Sequence, residues 1–376
     1  NRMRGADERP REEPSYPAEI LFCPACLLVQ IGCIVDPALL FPPDYPYRSG
    51  VTRILHENFA EMVRDCAARL LPGPPNGRVV DIGSNDGTLL SKWKAAGWDV
   101  RGIEPTDRAK EAEALGIPTT QAFFTRETAR AFRARHGPAR VVTAANVFAH
   151  IEDVHDVVEG ILELLAEDGI FVSESHYLLR LVETLQYDTI YHEHLRYYSL
   201  HSLRNLLARH GLEAVRAKEI PTHGGSLRVC AARAGTRRAD GSVGEILARE
   251  AREGVADAAR LDRFASDVAR AKRRLQALLA RILEEGGRVF GVGAPSRAST
   301  LVAYTGLDER TLACVVEVPG SAKIGRCMPG TRIPVRDETR LYAEQPSHAL
   351  LLSWHIAEEL IPKIRAKGFR GRFIVP

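Results

Sequence analysis

The 376-residue sequence is short of cysteine, short of lysine and without a long apolar run, and each shortage narrows what the chain can be. Seven Cys are too few for a disulfide scaffold, so a reducing, cytoplasmic setting is expected. No apolar stretch approaches the ~20 residues of a membrane span, and no signal-peptide core opens the chain, so no membrane partner is expected. Excess charge of either sign is also missing, with 51 Lys and Arg against 48 Asp and Glu. That balance leaves no basic footprint for nucleic acid. Only eight of the cations are Lys, a bias that fits a GC-rich genome and carries no mechanism. Internal repeats at solenoid periods are absent too.

What is present reads as a soluble α/β protein of two or three domains. Residues 1–20 are polar and irregular, and residues 21–57 form a small module with a CxxC and the aromatic cluster Asp44-Tyr45-Pro46-Tyr47-Arg48-Ser49. A helix is expected over 55–71, ended by Pro-Gly-Pro-Pro. Strands are expected over 78–82, 99–103, 139–145 and 169–174, with helices over 87–96 and 154–165 between them. Residues 212–232 suit an antiparallel hairpin closing that sheet. The Ala-, Arg- and Leu-rich stretch 242–285 reads as a long helix or helix pair connecting to a second α/β unit, with strands over 288–291, 313–316, 349–352 and 372–375. The expected division is 1–57, 58–236 and 237–376.

The sharpest segment is Val79-Val80-Asp81-Ile82-Gly83-Ser84-Asn85-Asp86-Gly87-Thr88. A strand ends in an acidic residue and a glycine-bearing turn opens a helix, at the place where doubly wound sheets bind ligands. Dinucleotide folds carry GxGxxG there for a pyrophosphate. This turn is acidic instead and suits a cationic or zwitterionic ligand such as S-adenosylmethionine. Glu104, before Pro105 and about 20 residues past the turn, is placed to hold ribose hydroxyls. Asn146 and His150 would line the same crevice.

The segment Tyr187-Asp188-Thr189-Ile190-Tyr191-His192-Glu193-His194 gathers ionisable and hydroxyl side chains where a proton could be removed at neutral pH. A neighbouring Tyr and Glu could orient the imidazole or meet an oxyanion. A metal reading of the two His lacks the i, i+4 spacing of zincins. His223-Gly224-Gly225-Ser226 is a second turn that could approach a substrate. Cys23-Pro24-Ala25-Cys26 supplies two of the four ligands of a structural Zn²⁺ site. Cys33 and His56 have no recognised spacing to it. The sequence begins at Asn1 rather than Met, so further residues are expected upstream of it.

Taken together, residues 23–30, 44–49, 81–90, 146–150, 188–194 and 222–228 resemble the nucleotide-sugar C-methyltransferases that build branched deoxysugars of antibiotics. The likeness continues through Gly291-Val-Gly-Ala-Pro-Ser, Pro329-Gly-Thr-Arg-Ile-Pro and the terminal Phe-Ile-Val-Pro. It implies an N-terminal zinc module, a central class I S-adenosylmethionine-binding Rossmann-like domain and a smaller C-terminal α/β domain helping to hold the substrate. It implies His194 as base, assisted by Tyr191 and Glu193, with Tyr47 favoured over Tyr45 above the site. Asp81, Gly83, Ser84, Asn85, Asp86, Gly87, Glu104, Pro105, Asn146 and His150 would serve the cofactor. His223, Gly224, Ser226, Pro295, Ser296 and Arg297 would serve the substrate, and Cys23 and Cys26 the zinc. Arg297 stands where the pattern has Lys, Glu317 where it has Asp, and His355 where it has Asn. Ser173-Glu174-Ser175-His176 is more polar than the usual apolar run with Pro.

The expected activity is C-methylation of a nucleotide-linked, dTDP-type 4-keto-deoxyhexose through an enolate, by a cytoplasmic monomer or small homo-oligomer. A nucleotide-sugar epimerase or a methyltransferase-fold enzyme for another carbonyl would also use such a base, although the former calls for GxGxxG at 83–88. A zinc-ribbon regulator would need a basic face that the composition does not offer.

Overall fold

The computed structural model describes residues 3–5, 8 and 13–376. The chain divides into two compact units. One holds Ala18–Arg180 and His192–Ala258; the other holds Asn1–Pro17, Leu181–Tyr191 and Ala259–Pro376. An eleven-residue excursion within the middle of the chain therefore packs with the C-terminal residues, which no feature of its own sequence announces.

The first unit begins with a hairpin, β1 (Ile20–Cys23) and β2 (Leu28–Ile31), which turns at the CxxC. Its main sheet is built from β3 (Arg78–Ile82), β4 (Asp99–Ile103), β5 (Thr119–Thr120), β6 (Ala139–Ala145) and β7 (Leu165–His176). These five strands run parallel in the order β5-β4-β3-β6-β7. Strand β8 (Arg196–Tyr197) joins the N-terminal hairpin through β2. Strands β9 (Leu212–Ile220) and β10 (Ser226–Arg233) complete the sheet, with β10 antiparallel between β7 and β9. The antiparallel hairpin thus forms as expected over 212–232.

Helices cover the sheet because its strands are apolar on both faces. The helix Arg53–Arg69 presents Leu55, Phe59, Met62, Val63 and Cys66 at helical spacing to Val79, Val141, Val172 and Cys230 of the sheet. Between β3 and β6 the strand order reverses, which opens a crevice at their carboxyl ends.

Under this crevice lies a buried ionic cluster. Arg228 on β10 is 1% exposed and Glu174 on β7 fully buried. Arg228 donates from Nε to Glu174 Oε2 at 3.0 Å, from Nη1 to Glu61 Oε2 at 2.6 Å and from Nη2 to Asn58 Oδ1 at 2.8 Å. Asn58 Nδ2 completes the circuit to Glu174 Oε1 at 2.7 Å. The cluster ties the helix Arg53–Arg69 to the carboxyl end of β7, and every charged group in it has a partner.

The second unit is a five-stranded parallel sheet of β11 (Val289–Val292), β12 (Cys314–Glu317), β13 (Val335–Asp337), β14 (His348–Leu351) and β15 (Arg372–Ile374), in the order β13-β12-β11-β14-β15. Strand β13 was not anticipated, since three residues are too few for a periodic signal. The stretch 242–285 resolves into two helices, Gly241–Glu253 and Ala258–Glu284. Pro295 and Ser296 open the helix Ser296–Thr305. Its Arg297, expected to serve the substrate, is 6% exposed. Its guanidinium grips buried Asp188 at 2.7 Å from Nε and 2.5 Å from Nη2, and Trp354 Nε1 donates to the same carboxylate at 2.8 Å. Thr300 Oγ1 donates to the carbonyl of Ile190 at 3.0 Å. These bonds hold the excursion 181–191, Tyr191 included, in the second unit. Among the described residues no helix is long and apolar enough to cross a membrane.

Removing one partner of a buried, fully bonded ion pair strands the other charge. Arg228→Ala is therefore expected to destabilise the first unit by about 3–5 kcal/mol, read as a lowered midpoint in urea unfolding.

Candidate active site

The crevice is assembled from the turns that follow β3, β4, β6 and β7, all within the first unit. After β3, Gly83 has φ +64°, and a Cβ there would stand 2.5 Å from Val147 Cγ2, so only glycine fits. Asn85 follows with φ +51°, a conformation Asn tolerates better than most residues. Gly87, at φ +79°, caps the helix Thr88–Ala95. The turn is fastened to Glu104, 4% exposed at the end of β4 and followed by Pro105. Glu104 Oε2 accepts from the Asn85 amide at 2.9 Å, and Oε1 accepts from the Thr106 amide and hydroxyl at 2.9 and 2.6 Å. Three donors leave a carboxylate with acceptor capacity for a hydroxyl.

Asp81, 3% exposed, accepts from Thr143 Oγ1 at 2.5 Å. Burial, reinforced by the charge of Glu104, pushes its carboxyl up to about 7 against the opposing hydrogen bond from Thr143. After β6, Asn146 sits at φ +58° with its amide bonded to the carbonyl of Glu174 at 2.7 Å. Asn146 Oδ1 and Ser84 Oγ are both buried without a hydrogen-bond partner in the protein. Orphaned polar atoms in a crevice call for a polar ligand to satisfy them. The acceptor-rich, acidic crevice therefore fits S-adenosylmethionine, whose amino and ribose hydroxyl groups donate. Asp86 is engaged otherwise, accepting from the Gly50 amide at 2.8 Å and from Thr88 Oγ1 at 2.6 Å.

The N-terminal module lies along this crevice. Asn85 Oδ1 accepts from the Ser49 amide at 2.9 Å, and Pro43 O accepts from the Asp107 amide at 2.9 Å. Phe41 stacks on His150 with centroids 5.7 Å apart. Tyr45, rather than the expected Tyr47, brings its hydroxyl to Glu193, donating to Oε2 at 2.9 Å. Tyr47 uses its carbonyl, which accepts from Asn85 Nδ2 at 3.2 Å, and leaves its side chain 43% exposed.

His194 is 5% exposed and stands between His150 and His176, at centroid separations of 5.1 and 4.5 Å. Its place is set by its neighbour: the Leu195 amide donates to Ala149 O at 2.9 Å, and Leu195 O accepts from the Ile31 amide at 3.0 Å. Burial, with the rings of His194 and His223 adding to it, lowers His150 well below the ordinary imidazole range. His223 adopts φ +56° ahead of Gly224 and Gly225, and Ser226 donates back to Thr222 O at 3.1 Å. His176 lies outside the set of site residues expected from sequence; a polar residue in the final turn of a buried strand was the one signal for it. Tyr191, Pro295, Ser296 and Arg297 belong to the second unit.

Cys23 and Cys26 face each other across the hairpin turn, closed by the Leu27 amide donating to Cys23 O at 2.8 Å. Hydrogen bonds from Cys26 lower the Cys23 thiol, and burial raises that of Cys26. Among the described residues no group of three or more His, Cys, Asp or Glu is arranged to hold a metal ion. Two thiols do not fill a tetrahedral zinc site, so the described residues alone do not fit the expected zinc.

A seven-stranded sheet with one antiparallel strand, carrying an acidic glycine turn and a strand-end carboxylate at its switch point, defines a class I methyltransferase. Residues 54–217 match the model of a methyltransferase domain, and residues 221–376 that of a C-methyltransferase C-terminal domain. The chain is 34% identical over 380 residues to C-methyltransferase NovU of Streptomyces niveus, covering all of this chain and 89% of that protein. It belongs to that family, the S-adenosylmethionine-dependent C-methyltransferases. Among solved structures, magnesium protoporphyrin IX methyltransferase from Synechocystis PCC 6803 with bound SAM is 14% identical, covering 54% of this chain and 99% of that one at a TM-score of 0.39. The assignment does not rest on that distant likeness.

Loss of a charged hydrogen bond typically costs about 1.5–3 kcal/mol, so Glu104→Ala should weaken S-adenosylmethionine about 10- to 150-fold in calorimetric titration. Asp81 supplies a pH test. Its carboxyl titrates at about 7 when folded and near 3.9 in an unfolded chain, so the folded state holds the extra proton between those values. Its contribution to stability is thus present at low pH and falls by roughly 1.4 kcal/mol per pH unit from about pH 4 to 7. Ligand-free Asp81→Asn should lack that slope in urea titrations.

Proposed function

We propose that the enzyme methylates a carbon next to the ketone of a nucleotide-linked 4-keto-deoxyhexose, of the dTDP type, in the assembly of an antibiotic sugar. The observation that carries this reading is His194, an imidazole buried beside the cofactor crevice and bracketed by backbone bonds on both sides of Leu195. A ketone acidifies its neighbouring C–H, so a positioned neutral imidazole can take that proton and leave an enolate. The cofactor, when bound, supplies an electrophilic methyl group. Full family-level similarity to a C-methyltransferase supports carbon, rather than oxygen or nitrogen, as the nucleophile.

The chain's own residues divide the work. Glu193, whose Oε2 takes the Tyr45 hydroxyl, is an anion that would repel an enolate, and its role is to orient and charge the imidazole. Tyr191 is assigned the oxyanion through the family resemblance. The Gly224–Ser226 turn and His223 are assigned to the sugar. The segment 41–50, fastened to Asn85, Asp86 and Asp107, excludes water from the crevice, which strengthens every charge interaction inside it. Pro295 and Ser296 are assigned substrate contacts in the second unit, and Arg297 supports that unit through Asp188. A reducing, cytoplasmic location and a monomer or small homo-oligomer accompany this reading.

Deprotonation can be watched without methyl transfer. In D₂O with S-adenosylhomocysteine, the enzyme should wash deuterium into the carbon next to the ketone of a dTDP-4-keto-deoxyhexose. His194→Asn should retain cofactor binding and lose the exchange, with methylation slowed about 10²–10⁴-fold. Exchange and methylation at the wild-type rate in that variant would place the base elsewhere, with His192 next.

A further inference from the structure

Four imidazoles form a row in the first unit. His150, His194, His176 and His223 follow one another with ring centroids 5.1, 4.5 and 5.6 Å apart. The proposed reaction employs His194 and assigns His223 to the sugar, and it gives His176, between them, no task. Resting on that reading, we propose that His176 and His223 carry the proton taken by His194 out to solvent, restoring the base after each turnover.

Proton balance creates the need. The substrate C–H bond breaks and its electron pair ends in the new C–C bond. The C–S bond breaks, with its pair remaining on sulfur and cancelling the sulfonium charge. One proton is left over, on His194, in every cycle. His194 is 5% exposed and cannot hand that proton directly to bulk water.

The row offers two directions, and at one end Phe41 covers the last imidazole. Towards His150 the way ends: burial and the neighbouring rings hold that imidazole well below its ordinary pKa, and Phe41 stacks upon it. Towards His176 the ring spacing is the shortest of the three. His176 and His223, like His150, are half-buried and reach further towards water than His194 does. A neutral imidazole accepts at one nitrogen and donates from the other, so it can pass a proton without net change.

The backbone is shaped to bring the last two rings together. His176 ends β7 opposite Ser226, the first residue of β10, so the turn carrying His223 folds back beside it. His223 occupies a left-handed conformation, φ +56° and ψ 24°, which a residue with a Cβ adopts only at an energetic cost. Gly225, at φ +121°, admits the side chain of Arg180, whose Cβ would meet a Cβ there at 2.7 Å. Arg180 packs against the Gly225 turn that follows His223, and Glu193, bonded to Tyr45, directly precedes His194. Like charges so close repel, so the row holds one proton at a time and releases it outward.

The test compares one turnover with many. His176→Asn and His176→Gln would be mixed with S-adenosylmethionine and a dTDP-4-keto-deoxyhexose, first with enzyme in excess and then at steady state. The first turnover, which needs only a neutral His194, should stay within about twofold of wild type. Steady-state kcat should fall about tenfold or more with KM unchanged, and added imidazole buffer should restore it. Cofactor affinity and melting temperature show that each variant is folded, and His176→Gln carries the comparison if His176→Asn is not. Unchanged steady-state kcat in the folded variants would overturn the relay. So would equal losses in both regimes without imidazole rescue, which would mark His176 as shaping the site only. A wild-type enzyme that neither methylates nor exchanges this substrate would overturn the parent reading instead, and the relay with it.

Discussion

The backbone of Leu195 is where the site is held together. Its amide reaches the carbonyl of Ala149 and its carbonyl accepts from the amide of Ile31. The first bond seats His194 beside His150 at the end of β6, and the second stitches the segment to the CxxC hairpin, which β8 then extends. A loop residue would ordinarily sample many conformations at a cost of ~1–2 kcal/mol to fix. Here two backbone bonds within a buried surround remove that freedom and leave an imidazole in one place. The N-terminal module is therefore a brace of the crevice.

Electrostatics supplies the second constraint, in the same form in each unit. Glu174 and Arg228 are buried in one, Asp188 and Arg297 in the other, and each carboxylate is met by further donors. Such pairs contribute little net stability over apolar packing, because desolvation offsets their attraction. Their value lies in geometry. The carbonyl of Glu174 also holds the amide of Asn146 in its left-handed conformation, so a cluster under the sheet fixes the crevice edge above it. Asp188 similarly fixes the excursion that ends at Tyr191. Arg in place of Lys at 297 suits this duty, since a planar guanidinium can grip one carboxylate with two nitrogens.

Much of this was legible in the residue order. Strands β3, β4 and β6 fall where their apolar runs lie, and Gly83, Asn85 and Gly87 take the positive φ values that such a turn demands. The hairpin of β9 and β10 and the connecting helix pair were readable from period and from the lack of Pro. Tyr45 was passed over for Tyr47 because two aromatics two residues apart are indistinguishable by pattern in an irregular segment. A substrate role for Arg297 follows from the family resemblance alone. Its partner Asp188 lies 109 residues away, and no local signal joins them. The excursion 181–191 was likewise invisible, since a segment's neighbours in sequence do not record which sheet it will pack against.

The sequence by itself determined the alternation of strands and helices, the acidic glycine turn and the type of cofactor it suits, because these depend on propensity and on spacing within a few residues. Tertiary structure alone decided which tyrosine meets Glu193, which carboxylate holds Arg297, and that four histidines drawn from positions 150, 176, 194 and 223 stand in one row. Those outcomes depend on burial and on distances between residues far apart along the chain. Both are fixed only when the sheet has closed and each buried polar group has had to find its partner.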